Sequence, residues 1–104
     1  MFVEAEVEVA VTDKTLTSTD EYDLKLWLQR AFKLNACYRI SGFKPGAKRS
    51  FRATVALNTR VLPEAEWKAL EGDQSAAAMR RFVETSFTGK GTCRCVSEPN
   101  LKGM

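Results

Sequence analysis

From Phe2 to Val11 the chain reads F-V-E-A-E-V-E-V-A-V. Val3, Ala5, Val7, Val9 and Val11 share one side of a two-residue repeat, and Glu4, Glu6 and Glu8 share the other. That period belongs to an extended strand with one buried face, because successive side chains of a strand point in opposite directions. The rest of the chain must therefore cover one side of a sheet with apolar groups and leave the other side to carboxylates.

The cover is legible further along. T-L-T-S-T-D-E is rich in helix-start residues, with Ser18 and Glu21 at capping-box spacing, and predicts a helix from about Asp20 to Leu34. Its Leu24, Trp27, Leu28, Ala31 and Phe32 recur at the spacing of a stripe laid on a sheet, with Tyr22 and Leu26 beside it. A strand from about Cys37 to Phe43 and another from about Ser50 to Leu62 read as a hairpin, since Phe51, Ala53, Val55 and Leu57 alternate with Arg52, Thr54 and Asn58. Pro63 suits the first turn of a second helix, with Glu64 and Glu66 behind it to complement the dipole. Gly72-Asp73 breaks that helix and Ser75 restarts it, so that Met79, Phe82 and Val83 are buried before about Phe87. T-C-R-C-V-S is a last short strand.

The order β, α, β, β, α, β is the ferredoxin-like pattern of the α+β class. It implies a four-stranded antiparallel sheet, ordered fourth, first, third, second, with the helices on one face and the second helix broken near Gly72. The expected organisation is a single domain over residues 1–98 and a loose C-terminal tail over 99–104. A chain of 104 residues is long enough for one core without disulfide or metal staples. No apolar run is long enough to span a bilayer, and glutamates interrupt the N-terminal apolar stretch, so no membrane partner and a cytoplasmic location are expected. Cys37, Cys93 and Cys95 make an odd count with no disulfide-framework spacing and are read as reduced.

Charge is distributed unevenly. Residues 35–62 hold six bases and no acid, whereas residues 1–34 hold four bases and seven acids. The middle of the basic segment is S-G-F-K-P-G-A-K-R-S-F-R, Ser41 to Arg52, a turn sequence with cations between aromatics. Arg39, Phe43, Lys44, Lys48, Arg49 and Arg52 are the candidate partner-binding residues. The glutamates and small polar residues at the middle of the open face offer no stacking platform for RNA, and the three carboxylates there repel phosphate.

Catalytic equipment is hard to find. The chain has no histidine, which removes the commonest general base and every Ser-His or Cys-His pair. Cys93-Arg94-Cys95 puts two thiols on one side of a strand, where small buried fillers are the ordinary reading, and three cysteines without histidine do not complete a zinc set. No catalytic residue, metal or cofactor is expected. The sequence points to a small non-enzymatic interaction protein, an accessory or inhibitory module docking on a protein or nucleoprotein through the basic hairpin and the edge strand before it. Direct RNA or DNA binding by the same hairpin is the alternative, and a small hydrolase or redox enzyme, resting on the glutamate row and the C-x-C pair, is the third. The edge strand can also pair with its own copy, which makes a homodimer an expectation.

Overall fold

The alternating stretch forms β1 (Phe2–Val11), and its burial alternates without a break along the whole strand. The computed structural model describes residues 1–102. In chain order the further elements are α1 (Glu21–Arg30), β2 (Cys37–Pro45), β3 (Ser50–Asn58), α2 (Glu64–Gly72), α3 (Ala76–Ser86), β4 (Gly91–Cys95) and β5 (Asn100–Lys102). The fold is α+β, with an antiparallel sheet running β2-β3-β1-β4 and β5 paired to β1.

β1 is the central member of this sheet. One side pairs with β3 from Phe2↔Asn58 to Ala10↔Ser50, and the other side pairs with β4 near its end and with β5 near its start. Val3, Val7 and Val9 are fully buried beneath Leu24 and Leu28 of α1 and Met79, Phe82 and Val83 of α3, together with Phe51, Val55 and Leu57 of β3. Each fully buried side chain of this size stabilises the fold by roughly 1.5–3 kcal/mol of transfer free energy.

Several boundaries differ from those the sequence suggests. The cap of α1 is Asp20, whose carboxylate accepts from the Asp23 N–H at 2.9 Å, while Ser18 supports Asp20 rather than capping the helix itself. α1 stops at Arg30 because Phe32 turns extended and bridges Phe87, burying its ring edge-on at 5.8 Å between centroids. The broken second helix is two helices: Asp73 ends α2, and the Ser75 hydroxyl caps α3 by accepting from the Ala78 N–H. β3 ends at Asn58, where its side chain turns the chain into a short 3-10 segment, Thr59–Val61.

The C-terminal segment is not loose over its described part. Pro99 is buried, and Asn100–Lys102 pair with Glu4, Val3 and Phe2, using the length of β1 that the short β4 leaves uncovered. Leu101 packs on the core opposite Val3. Residues 103 and 104 of the expected tail lie outside the described residues.

Two glycines test this geometry in opposite directions. Gly91 enters β4 at φ +154°, and a Cβ there would lie 2.1 Å from the Ala10 carbonyl oxygen, whereas nothing stands within 4 Å of a Cβ at Gly72. Gly91→Ala is expected to cost at least about 2 kcal/mol of unfolding free energy. Gly72→Ala, at the end of α2, is expected to add about 0.5–1 kcal/mol. Urea denaturation followed by circular dichroism measures both.

Candidate interaction surface

Strand alternation alone does not place the β2 side chains correctly, because β2 carries two bulges against β3, between Cys37 and Arg39 and between Ser41 and Lys44. A bulge inserts one unpaired residue and so exchanges the faces of everything beyond it. At the first, the extra residue is Tyr38: Cys37 stays buried opposite Leu57, while Arg39 emerges on the open face opposite Ala56. At the second, Gly42 adopts φ +62°, a conformation that side-chain-bearing residues rarely take. Phe43 thereby turns inward to stack on Phe51 at 5.2 Å between centroids, and Lys44 turns outward over the carboxylates.

Those carboxylates organise the open face. Glu4 meets Arg39 at 3.3 Å and Lys102 at 3.1 Å, Glu6 meets Lys44 at 3.7 Å, and Glu8 meets Arg52 at 3.2 Å and also Arg94. Five cations from β2, β3, β4 and β5 thus share three carboxylates of β1. The two arginines hold the Glu8 carboxyl below its ordinary range, the Arg94 hydrogen bond being the larger cause. Exposed pairs of this kind contribute ~0.2–1 kcal/mol each.

The six residues singled out by the sequence therefore do not act as one cationic patch. Arg39, Lys44 and Arg52 are in the ladder, and Phe43 is a half-buried packing residue. Arg49 points away from the hairpin tip: its guanidinium donates to the carbonyls of Asp13, at 2.7 Å, and of Leu16, fastening the β1–α1 loop to β3. Lys48, exposed at the turn with φ +55°, is the one cation among them with no hydrogen bond or ion pair from its side chain to the described residues. Arg60, within the stretch to Leu62 that the sequence reads as strand, lies beyond the end of β3 and over the Trp67 ring of α2, 4.2 Å from its centroid.

The long open feature is the outer edge of β2. It has no neighbouring strand among the described residues, whereas the opposite margin is partly closed, the Cys95 N–H donating to a Glu84 carboxylate oxygen at 2.9 Å. Beside β2 runs a shallow groove of about 660 Å³ against α1, with Tyr22, Leu26, Tyr38 and Ile40 as its apolar lining. Tyr22 is 66% and Tyr38 65% exposed, the largest aromatic surfaces left to solvent. Alternation along α1 placed Tyr22 and Leu26 beside the core stripe. Tyr38 escapes such reading because only its bulge puts it at the edge.

Among the described residues no three histidine, cysteine or carboxylate side chains are grouped to hold a metal ion. Burial is the chief cause that holds the Cys37 and Cys93 thiols up at about 12 and the Cys95 thiol up at about 11, with the Glu84 charge a smaller contributor at the latter two. No helix of the described residues is long and apolar enough to cross a membrane. Comparison with protein-family models, curated proteins and solved structures finds no match.

Two measurements follow from these side chains. Asp13 accepts from the Thr15 hydroxyl at 2.6 Å and backbone at 2.9 Å and from the Trp27 indole at 3.0 Å, which hold its carboxyl down at about 2. A depressed carboxyl stabilises the fold above its unfolded value of ~3.9 and ceases to do so as pH falls through its folded value. The stability difference between wild type and Asp13→Asn, read as urea midpoints, should accordingly be constant above about pH 5 and shrink from about pH 4 toward pH 2. At pH 8 the three thiols should react with iodoacetamide at least ~100-fold more slowly than a free cysteine, because little thiolate is present; mass spectrometry of timed samples decides.

Proposed function

We propose that this protein works by binding, as a small accessory or inhibitory module that docks on a protein partner through the outer edge of β2. The observation that carries this reading is the pairing of nine residues of unpartnered strand edge with two exposed tyrosines in one groove. An open edge offers a row of backbone donors and acceptors, and an adjoining apolar groove supplies specificity, which together are the parts of recognition by strand addition. Tyrosine suits such a surface because it buries a large area at a small cost in side-chain entropy.

We read the path of the four longer strands, with helices on one face, as a ferredoxin-like arrangement to which β5 and the split second helix are additions. A domain of this kind fixes no activity by itself, and function is argued from its surface. The basic hairpin enters as an extension of the edge. Three of its cations are engaged within the chain, so Lys48 is the one best able to reach phosphate or a partner carboxylate. One such charge supplies little of the counterion release on which nucleic-acid affinity depends.

The reading is tested by capture from native lysate with three baits: wild type, Tyr22→Asp with Tyr38→Asp, and Lys48→Glu, each with and without nuclease. Docking through the edge predicts a protein retained by wild type and Lys48→Glu, lost from the double tyrosine variant and indifferent to nuclease. Capture abolished by nuclease and by Lys48→Glu would assign the surface to nucleic acid instead.

A further inference from the structure

The chemistry of the β2 edge specifies what strand it accepts. We propose that it takes an extended protein segment alternating acidic and apolar residues, added to the sheet beside β2; this rests on the edge-docking reading above. An added strand sends alternate side chains to the two faces of the sheet. On the helix side it would meet Tyr22, Leu26 and Ile40, and on the open side Arg39 and Lys44.

Charge selects the acidic member. Within the groove Glu21 is paired with Lys25 at 3.6 Å, and the groove continues past Leu26 and Gln29 to Arg30, which forms no ion pair with the described residues. On the open face Arg39 shares Glu4 with Lys102, and Lys44 sits 3.7 Å from Glu6, the longest contact of the ladder. The edge therefore presents positive charge that the chain only partly answers. A second copy would add its own Arg39 and Lys44 along the same edge, and like charges facing each other across strands are destabilising. An acidic strand completes the pattern that β1 already sets two strands away, where Glu4 and Glu6 receive these same cations across β3.

The test uses the whole chain and four labelled eight-residue peptides: glutamate alternating with valine and threonine, its lysine counterpart, and two forms of the glutamate peptide N-methylated on alternate residues, one in each register. Anisotropy titrations at low salt give affinities, and amide shifts in 15N-labelled protein locate binding. The glutamate peptide should bind at least about tenfold tighter than the lysine one, with shifts concentrated in Tyr38–Lys44. Arg30→Glu with Arg39→Glu should weaken it about tenfold, and so should Tyr22→Ser, which removes an exposed apolar contact without changing charge and leaves the ladder intact. N-methylation should weaken binding in whichever of the two alternate registers faces β2, so both methylated registers are made, and equal binding by both with the parent would overturn strand addition. Equal or reversed preference between glutamate and lysine peptides, or concentration-dependent self-association at β2 that excludes the peptide, would overturn the acidic-strand inference while leaving the edge as a docking surface. No peptide binding and no response of β2 amides to the captured partner would overturn both.

Discussion

Everything in this molecule is referred to β1. It is hydrogen-bonded along both sides, buries one row of side chains under the helices and projects three glutamates from the other. A slip of one residue would carry the valines to solvent and the carboxylates into the core, a change the fold cannot absorb. The register of β3, β4 and β5 is thus fixed twice, by apolar packing below and by ion pairs above. The packing supplies most of the energy, while the ion pairs chiefly oppose wrong pairings, since exposed pairs contribute little individually.

The same strand explains why a basic hairpin is less available than its composition suggests. Lys44 and Arg52 answer Glu6 and Glu8, and Arg49 is drawn off to hold the loop after β1. A local surplus of positive charge is consequently spread over the sheet face and becomes most accessible along β2, beside which the described residues place no further strand. The surface of interest moves from the tip of the hairpin to the flank of its first strand.

Much of the fold was legible in the sequence because it rests on unbroken periodicities. The valine alternation of β1, the stripe of Leu24 and Leu28 and the restart at Ser75 each report local geometry directly. What escaped depends on events that periodicity cannot report. Arg39 lies on the open face as read, but the second bulge in β2 reverses the faces of Phe43 and Lys44 relative to Arg39 and Ser41, and an insertion of one residue leaves no trace in composition. Arg49 is bound to carbonyls of residues more than thirty positions earlier, a partnership set by tertiary approach. The pairing of Asn100–Lys102 arises from the shortness of β4, which leaves part of β1 unpaired until the chain returns. Of the candidate surface, Tyr22 and Leu26 were recognisable as lying off the core stripe, and Tyr38 was not.

The two margins of the sheet are unlike, and this bears on how copies of the chain can grow into larger assemblies. Sheet polymers propagate when the leading edge of one unit matches the trailing edge of the next, a head-to-tail contact that never closes. Here the trailing margin is made of a five-residue strand, a three-residue strand and a carboxylate from α3 sitting on a backbone donor. A strand laid on β2 would find only short strands and a partly occupied edge at the far side of the next molecule, which disfavours head-to-tail growth. The long β2 edge is therefore paired with an opposite margin that matches it poorly, which is how sheet proteins limit edge-to-edge growth.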